Sequence, residues 1–305
     1  MYDVVIIGAG PAGYTAGIYC SRARHNTLLI SGILPGGQLM NTTDVENYPG
    51  FSDGIMGPDL MTIMRKQTEK MGTKIIDDEV TSVDFKANPL KVKTASEEFE
   101  ARTVIVCTGA NPRKIGLDGE QTFAGKGVSY CATCDGAFFK DQELIVVGGG
   151  DSAMEEATFL TKFASTVHIV HRREEFRASK IMQERALANE KIKVHFNCTV
   201  KDIQGDQKFR KVILNNTKTN EDETLDAGGL FVAIGHEPNS KMFQNQLELD
   251  ENGYVIIKNN TETSIPGVFC EGDEHDHRYR QADTAAGYGC MAAIDVDKYL
   301  AESKN

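Results

Sequence analysis

The apolar positions come in short continuous runs, at 2–7, 27–30, 103–107, 144–147 and 166–170, most of them stopped by glycine or by polar residues. Such runs are too short for helices and too uniformly apolar for half-exposed strands, so they predict parallel strands covered on both faces. Helical periodicity takes over at 11–24, at 57–71 and from 282 through 291. The predicted fold class is α/β, with two Rossmann-like βαβ, three-layer nucleotide-binding domains.

Two glycine turns anchor that reading. In the first, Gly8 permits the tight turn, Gly10 lets the backbone approach a pyrophosphate across Pro11 and Ala12, and Gly13 allows the helix to pack closely on the strand. The second carries Gly148, Gly150 and Ala153 in the same spacing, with Asp151 and Ser152 between them. A second echo links residues 107–112 with 233–238. The tail strand at 264–273 has no nucleotide motif of its own and must complete an earlier module, so the second module is inserted in the first. The expected division is 1–114 with 245–305 around 115–244, with crossovers near 114–118 and 239–246.

The two turns differ in the residues past their second strands. Beyond the second turn stands His171-Arg172-Arg173, with Arg177 further on, where an NAD site carries an acid. Guanidinium groups bind a 2′-phosphate through paired charge-assisted bonds, so this cluster favours NADPH. Beyond the first turn the expected acid is missing at Ile30 and Ser31. That module, with no basic cluster and much of the chain devoted to it, suits FAD. The stretch from Gly32 through Gly37, Gln38 and Leu39 is either a surface loop or backbone that approaches a flat ring or phosphate. Thr108-Gly109 closes a strand where a cofactor can pass. Asp273 could accept from a ribityl hydroxyl, and Arg280-Gln281-Ala282 opens a helix whose N–H groups could face a flavin carbonyl.

Between the two turns stand Cys131 and Cys134, a spacing that closes into a disulfide and reopens, holding two electrons. A zinc site would need a second pair, and the other five cysteines offer none by spacing. Asp135 is a poor thiol activator; it reads as a proton carrier or as a cap of the next turn.

Composition narrows the setting. The 305 residues carry 33 Lys and Arg against 44 Asp and Glu, a net charge of −11, which disfavours wholesale nucleic-acid binding. No apolar run approaches the roughly 18 residues of a membrane helix, and the chain opens on a strand rather than a leader. Seven mostly isolated cysteines suit a reducing cytoplasm.

In combination, GAGPAGYTAG (8–17), PGGQL and TDVENYPGF (35–51), CATCDG (131–136), GGGDSAMEEA (148–157), HRREEFRASK (171–180), LFVAIGHEPN (230–239) and YRQADTAAGYGCMAA (279–293) resemble the low-molecular-weight thioredoxin reductases along essentially the whole chain. The resemblance implies a homodimer in which NADPH reduces FAD, the flavin reduces the disulfide, and the dithiol reduces thioredoxin. It implies Cys134 facing the flavin, Cys131 attacking thioredoxin, and Asp135 as acid and base. It adds Asn47 and Gly272 to the FAD residues and Ile234 and Gly235 to those for NADPH. It also implies a nucleotide domain that swings about the two crossovers. Competing readings are a relative with another electron donor or a small-disulfide or oxygen acceptor, and a nucleotide-binding redox sensor without turnover. Four positions depart from the family pattern: Cys270, Glu271, Glu274 and Asp283. A carboxylate near a flavin disfavours the anionic reduced form, so Glu271 or Asp283 would lower the flavin potential if it points inward; otherwise both face solvent.

Overall fold

The computed structural model describes residues 1–32 and 35–303, so Ile33 and Leu34 of the 32–39 stretch lie outside the described residues. The chain divides into two compact units, Met1–Asn111 with Glu237–Asn305, and Pro112–His236. These divisions fall three and eight residues ahead of 114/115 and 244/245. The second moves because Phe243 and Leu247 are buried in the first unit's core, where Phe243 stacks on Phe85.

In chain order the first unit contributes β1 (Tyr2–Ile7), α1 (Pro11–Arg22), β2 (Thr27–Ile30), β3 (Asp44–Val45), β4 (Ile55–Met56), α2 (Gly57–Lys70), β5 (Lys74–Ile76), β6 (Val80–Asp84), β7 (Leu90–Thr94), β8 (Glu98–Val106) and β9 (Ala110–Pro112). Its sheet runs β5-β2-β1-β8-β7-β6. β1 and β2 are almost wholly Val, Leu and Ile in their buried residues, which suits strands covered on both faces. Pro11 starts α1, where its missing N–H costs nothing.

The second unit continues with α3 (Asp118–Thr122), β10 (Val128–Ser129), α4 (Ala132–Asp135), β11 (Glu143–Gly148), α5 (Asp151–Leu160), β12 (Thr166–His171), α6 (Lys180–Leu187), β13 (Ile192–Phe196), β14 (Cys198–Gly205), β15 (Phe209–Asn216), β16 (Asp222–Asp226), β17 (Gly229–Ala233) and β18 (His236–Pro238). Five parallel strands form the order β10-β17-β11-β12-β13. One face packs on α5 and α6. The other packs on the antiparallel β14-β15-β16 meander, giving three layers.

The chain then returns to the first unit as β19 (Val268–Cys270) and α7 (Ala282–Glu302). β19 pairs in parallel with β8, so the tail strand completes the first sheet, as its lack of a nucleotide turn implied. α7 lies against α1 with Gly289 so close that a Cβ there would stand 2.3 Å from the Ala12 carbonyl oxygen.

Candidate active site

In the second unit Cys131 and Cys134 are joined as a disulfide at the start of α4. Cys131 is the N-cap, and its sulfur accepts the Cys134 backbone N–H at 3.2 Å. A hydrogen bond of this kind favours the thiolate of Cys131 once the pair is reduced. Asp135 is part-buried behind the pair, its Oδ2 accepting from the Ser129 hydroxyl at 2.6 Å. Burial pushes its carboxyl up, partly offset by that bond. A carboxylic acid that keeps its proton above the ordinary range can hand it to a departing thiolate.

The Gly148 turn joins β11 to α5. A Cβ on Gly149 would lie 2.2 Å from the His171 ring, whereas one on Gly150 meets nothing within 4 Å, so the open side of the turn is at Gly150. No side chain caps α5, which leaves its first N–H groups available to a phosphate. Asp151 turns instead to α6, accepting the Ser179 N–H and hydroxyl at 2.8 Å each. His171 is buried, its Nε2 within 3.0 Å of the Glu175 carbonyl, and burial pushes its pKa down. Arg172, Arg173 and Arg177 are exposed and take part in no ion pair among the described residues. Ser152 is exposed and Ala153 buried; Ile234 and Gly235, φ +99°, come just after β17.

The first unit brings its predicted residues together around α1. Gly8 requires its glycine, with φ +111° and a Cβ position 2.2 Å from the Cys107 carbonyl oxygen. A Cβ on Gly37 would stand 3.5 Å from the Gly10 Cα, and one on Gly272 3.3 Å from the Ala12 side chain. Positions Gly10 and Gly109 face open space, and α1 has no side-chain cap. Gln38 donates to Asn111 at 2.7 Å, and Asn47 to Gln281 at 3.3 Å. Gln281 caps α7 reciprocally with Thr284. Gly32 has φ +78°, and Leu39 packs at the edge of the α1 core. Buried polar atoms at Arg280 Nε, His275 Nε2 and Asp276 Oδ2 lack partners among the described residues. Open glycines, an uncapped helix start and unpartnered buried polar atoms fit a bound dinucleotide with a flat polar ring.

Sequence reasoning missed Asp77 and the burial of Glu274. Asp77, at the end of β5, receives the Ser31 hydroxyl at 2.7 Å and pairs with Arg65, so a carboxylate does stand beside the end of β2. No local signal announces it, because parallel pairing of β5 with β2 delivers it from outside the motif. The carboxyls of Glu271 and Glu274 are fully buried, and burial pushes each up to about 8; Asp273 is pushed up to about 7 by burial and by Asp276. Asp283 is exposed. Of the two carboxylates expected either to point inward or to face solvent, Glu271 does the first and Asp283 the second.

This constellation of two dinucleotide turns and a redox disulfide has close counterparts. The chain belongs to the pyridine nucleotide-disulphide oxidoreductase family, whose model matches residues 2–289, and is an oxidoreductase of flavin and nicotinamide cofactors. More narrowly, it is 53% identical to a thioredoxin reductase of Streptomyces clavuligerus, across 98% of this chain and 94% of that one. A bifunctional thioredoxin reductase/thioredoxin of Mycobacterium leprae is 50% identical across 99% of this chain, which spans 66% of it. The crystal structure of thioredoxin reductase from Streptococcus pyogenes superposes with a TM-score of 0.94 at 44% identity, covering 99% of each chain.

Proposed function

We propose that the chain reduces the disulfide of thioredoxin with electrons from NADPH, through FAD held by the first unit and the Cys131–Cys134 pair of the second. The observation that carries this reading is the closed Cys131–Cys134 bond beside a part-buried carboxyl, in a unit that also carries a nucleotide turn and an arginine cluster without ion pairs among the described residues. Thioredoxin as partner is supported by the relatives' names and by the relative in which the two are one chain. A homodimer rests on the resemblance. A cytoplasmic setting is supported by the five remaining cysteines, which are free thiols.

Gly8, Gly10, Pro11, Ala12 and Gly13 would hold the FAD pyrophosphate at the start of α1, with Gly37, Gln38, Asn47, Gly109, Gly272, Asp273 and residues 280–282 around the rest. Gly148, Gly150 and Ala153 would receive the NADPH pyrophosphate, and Arg172, Arg173 and Arg177 the 2′-phosphate. When bound, the flavin supplies a two-electron relay between nicotinamide and disulfide. Reduced Cys131, its thiolate favoured by the Cys134 N–H, attacks one sulfur of the thioredoxin disulfide and forms a mixed disulfide. The thioredoxin thiolate that leaves takes the proton of Asp135. Cys134 then gives its proton to the Asp135 carboxylate, attacks the Cys131 sulfur, releases the second thioredoxin thiolate, which takes a proton from water, and restores the disulfide. Two electrons have passed to thioredoxin.

An absorption spectrum of the purified protein, an anaerobic NADPH titration and steady NADPH oxidation with oxidised thioredoxin test the reading together. Flavin bands that bleach with NADPH, and oxidation that depends on thioredoxin, are expected. A colourless protein, or thioredoxin that stays oxidised, overturns it.

A further inference from the structure

β8 and β19 run side by side with Cys270 level with Val106, so the residues leaving the two strand ends meet. The Cys107 thiol donates to Glu271 Oε1 at 3.1 Å. One turn on, Glu274 Oε2 accepts the Thr108 backbone N–H at 2.9 Å and also the Thr108 hydroxyl. Both glutamates are 0% exposed, neither is ion-paired among the described residues, and Glu271 Oε2 and Glu274 Oε1 are buried without partners. The acceptors of the same turn are taken from the other side. Asn239 Nδ2 donates to the Thr108 carbonyl at 2.8 Å, and its backbone N–H donates to the Gly109 carbonyl at 2.9 Å. Gly109 itself, at φ +67°, faces open space.

We propose that Glu274 is a positioning residue of the flavin site: by holding the Thr108 backbone N–H, and sharing the Thr108 hydroxyl with the Asn239 carbonyl at 3.1 Å, it sets the Thr108–Gly109 turn that the cofactor meets. The proposal rests on the reading that the first unit holds FAD. Its carboxyl works as the neutral acid. The groups around it are the Cys107 and Cys270 thiols and, along its own segment, Glu271, Asp273, His275 and Asp276; the segment's half-buried cation, Arg280, acts on Asp273. An ionised carboxylate there has no counter-charge, and burial pushes the group up to about 8. The neutral acid keeps Oε2 as acceptor for Thr108 and places its proton on Oε1. Ionisation would put an uncompensated buried negative charge behind the Thr108–Gly109 turn, so the site loosens as pH rises through that value.

FAD release from the holoenzyme, read by the fluorescence of freed FAD across neutral to alkaline pH, tests this in wild type, Glu274→Gln and Glu274→Val. Amide exchange over residues 104–110 of the apoprotein, read by mass spectrometry, is the second measurement. The wild-type dissociation constant climbs with pH by up to about tenfold per unit for one coupled proton. Glu274→Gln, isosteric and unable to ionise, flattens the climb and protects residues 104–110 as wild type does. Glu274→Val weakens FAD retention at every pH and speeds that exchange. A flat wild-type profile, a Gln variant that repeats the wild-type climb, or a Val variant with unchanged exchange overturns the proposal. A protein that never retains FAD sinks the flavin reading instead, and the apoprotein exchange still decides whether Glu274 positions the turn.

Discussion

The two glycine turns share a backbone and part company at the end of the second strand. In the first unit β2 ends beside Ser31, which meets Asp77, and Asp77 is already matched by Arg65 at 2.7 Å. Charge at that strand end is neutralised in place. In the second unit β12 ends in buried His171 and runs straight into Arg172 and Arg173, which are exposed and unpaired among the described residues. The lesson is that strand, glycine and helix specify a dinucleotide, while the few residues past the second strand choose which one.

The hardest blow to this division of labour is Cys131→Ser. Thioredoxin reduction should fall to background while anaerobic NADPH still bleaches the flavin, because both turns are untouched. If bleaching is lost as well, the thiols and the nucleotide turns are not separate parts.

A second effect belongs to the first unit. Glu271 and Glu274, raised to about 8 from an ordinary 4.5, and Asp273, raised to about 7 from 3.8, hold protons that the unfolded chain gives up at lower pH. Because the folded values are the higher ones, stability is fully present below about pH 4 and is lost as pH rises through about 8, by on the order of 5 kcal/mol for each group. Urea unfolding of the apoprotein at a series of pH values reads the slope. The double variant Glu271→Gln, Glu274→Gln should remove most of it, and an unchanged slope would place the linkage elsewhere.

The helix-start residue separates the turns further. A Cβ on Gly13 would stand 2.0 Å from the Gly8 carbonyl oxygen, yet the second unit carries Ala153 at the matching place, fully buried. Gly13→Ala should therefore cost roughly 3 kcal/mol by overpacking. Ala153→Gly should cost about 1 kcal/mol of helix stability. Equal losses in thermal unfolding would mean that the turns pack alike.

Nucleotide preference leaves the fold intact and is read in kinetics alone. Arg172→Ala and Arg173→Ala should each reduce the preference for NADPH over NADH by roughly 1.5 to 3 kcal/mol per charge-assisted bond lost, read as the ratio of kcat/KM values. An unaltered ratio would move the phosphate clamp away from β12.

Much of this was legible in the chain because it is local. The runs at 2–7 and 27–30 coincide with β1 and β2, and the Cys-X-X-Cys spacing, the two glycine turns and the arginines lie within short windows. The features that stayed hidden are non-local or break their period. The β14-β15-β16 meander escaped because a register shift between Val200 and Asp202 interrupts the alternation that marks a strand. β12 is buried along five of its six residues, so periodicity could not say that His171 turns inward while the arginines after it turn out. For Glu271 the chain left inward and outward open, and for Glu274 it gave no direction, since charge alone predicts exposure; only the pairing of β19 with β8 carries them into the core.

The four-residue helix that begins after Cys131 has a consequence for direction. The two sulfurs sit in different places on that helix, since the earlier one receives the backbone amide of the later and lies 3.3 Å from the Thr133 hydroxyl. On the proposed function this helix start is what hands the outgoing electrons to the sulfur that comes first in the chain, and lengthening the Ala132-Thr133 spacer by one residue would remove the amide from it.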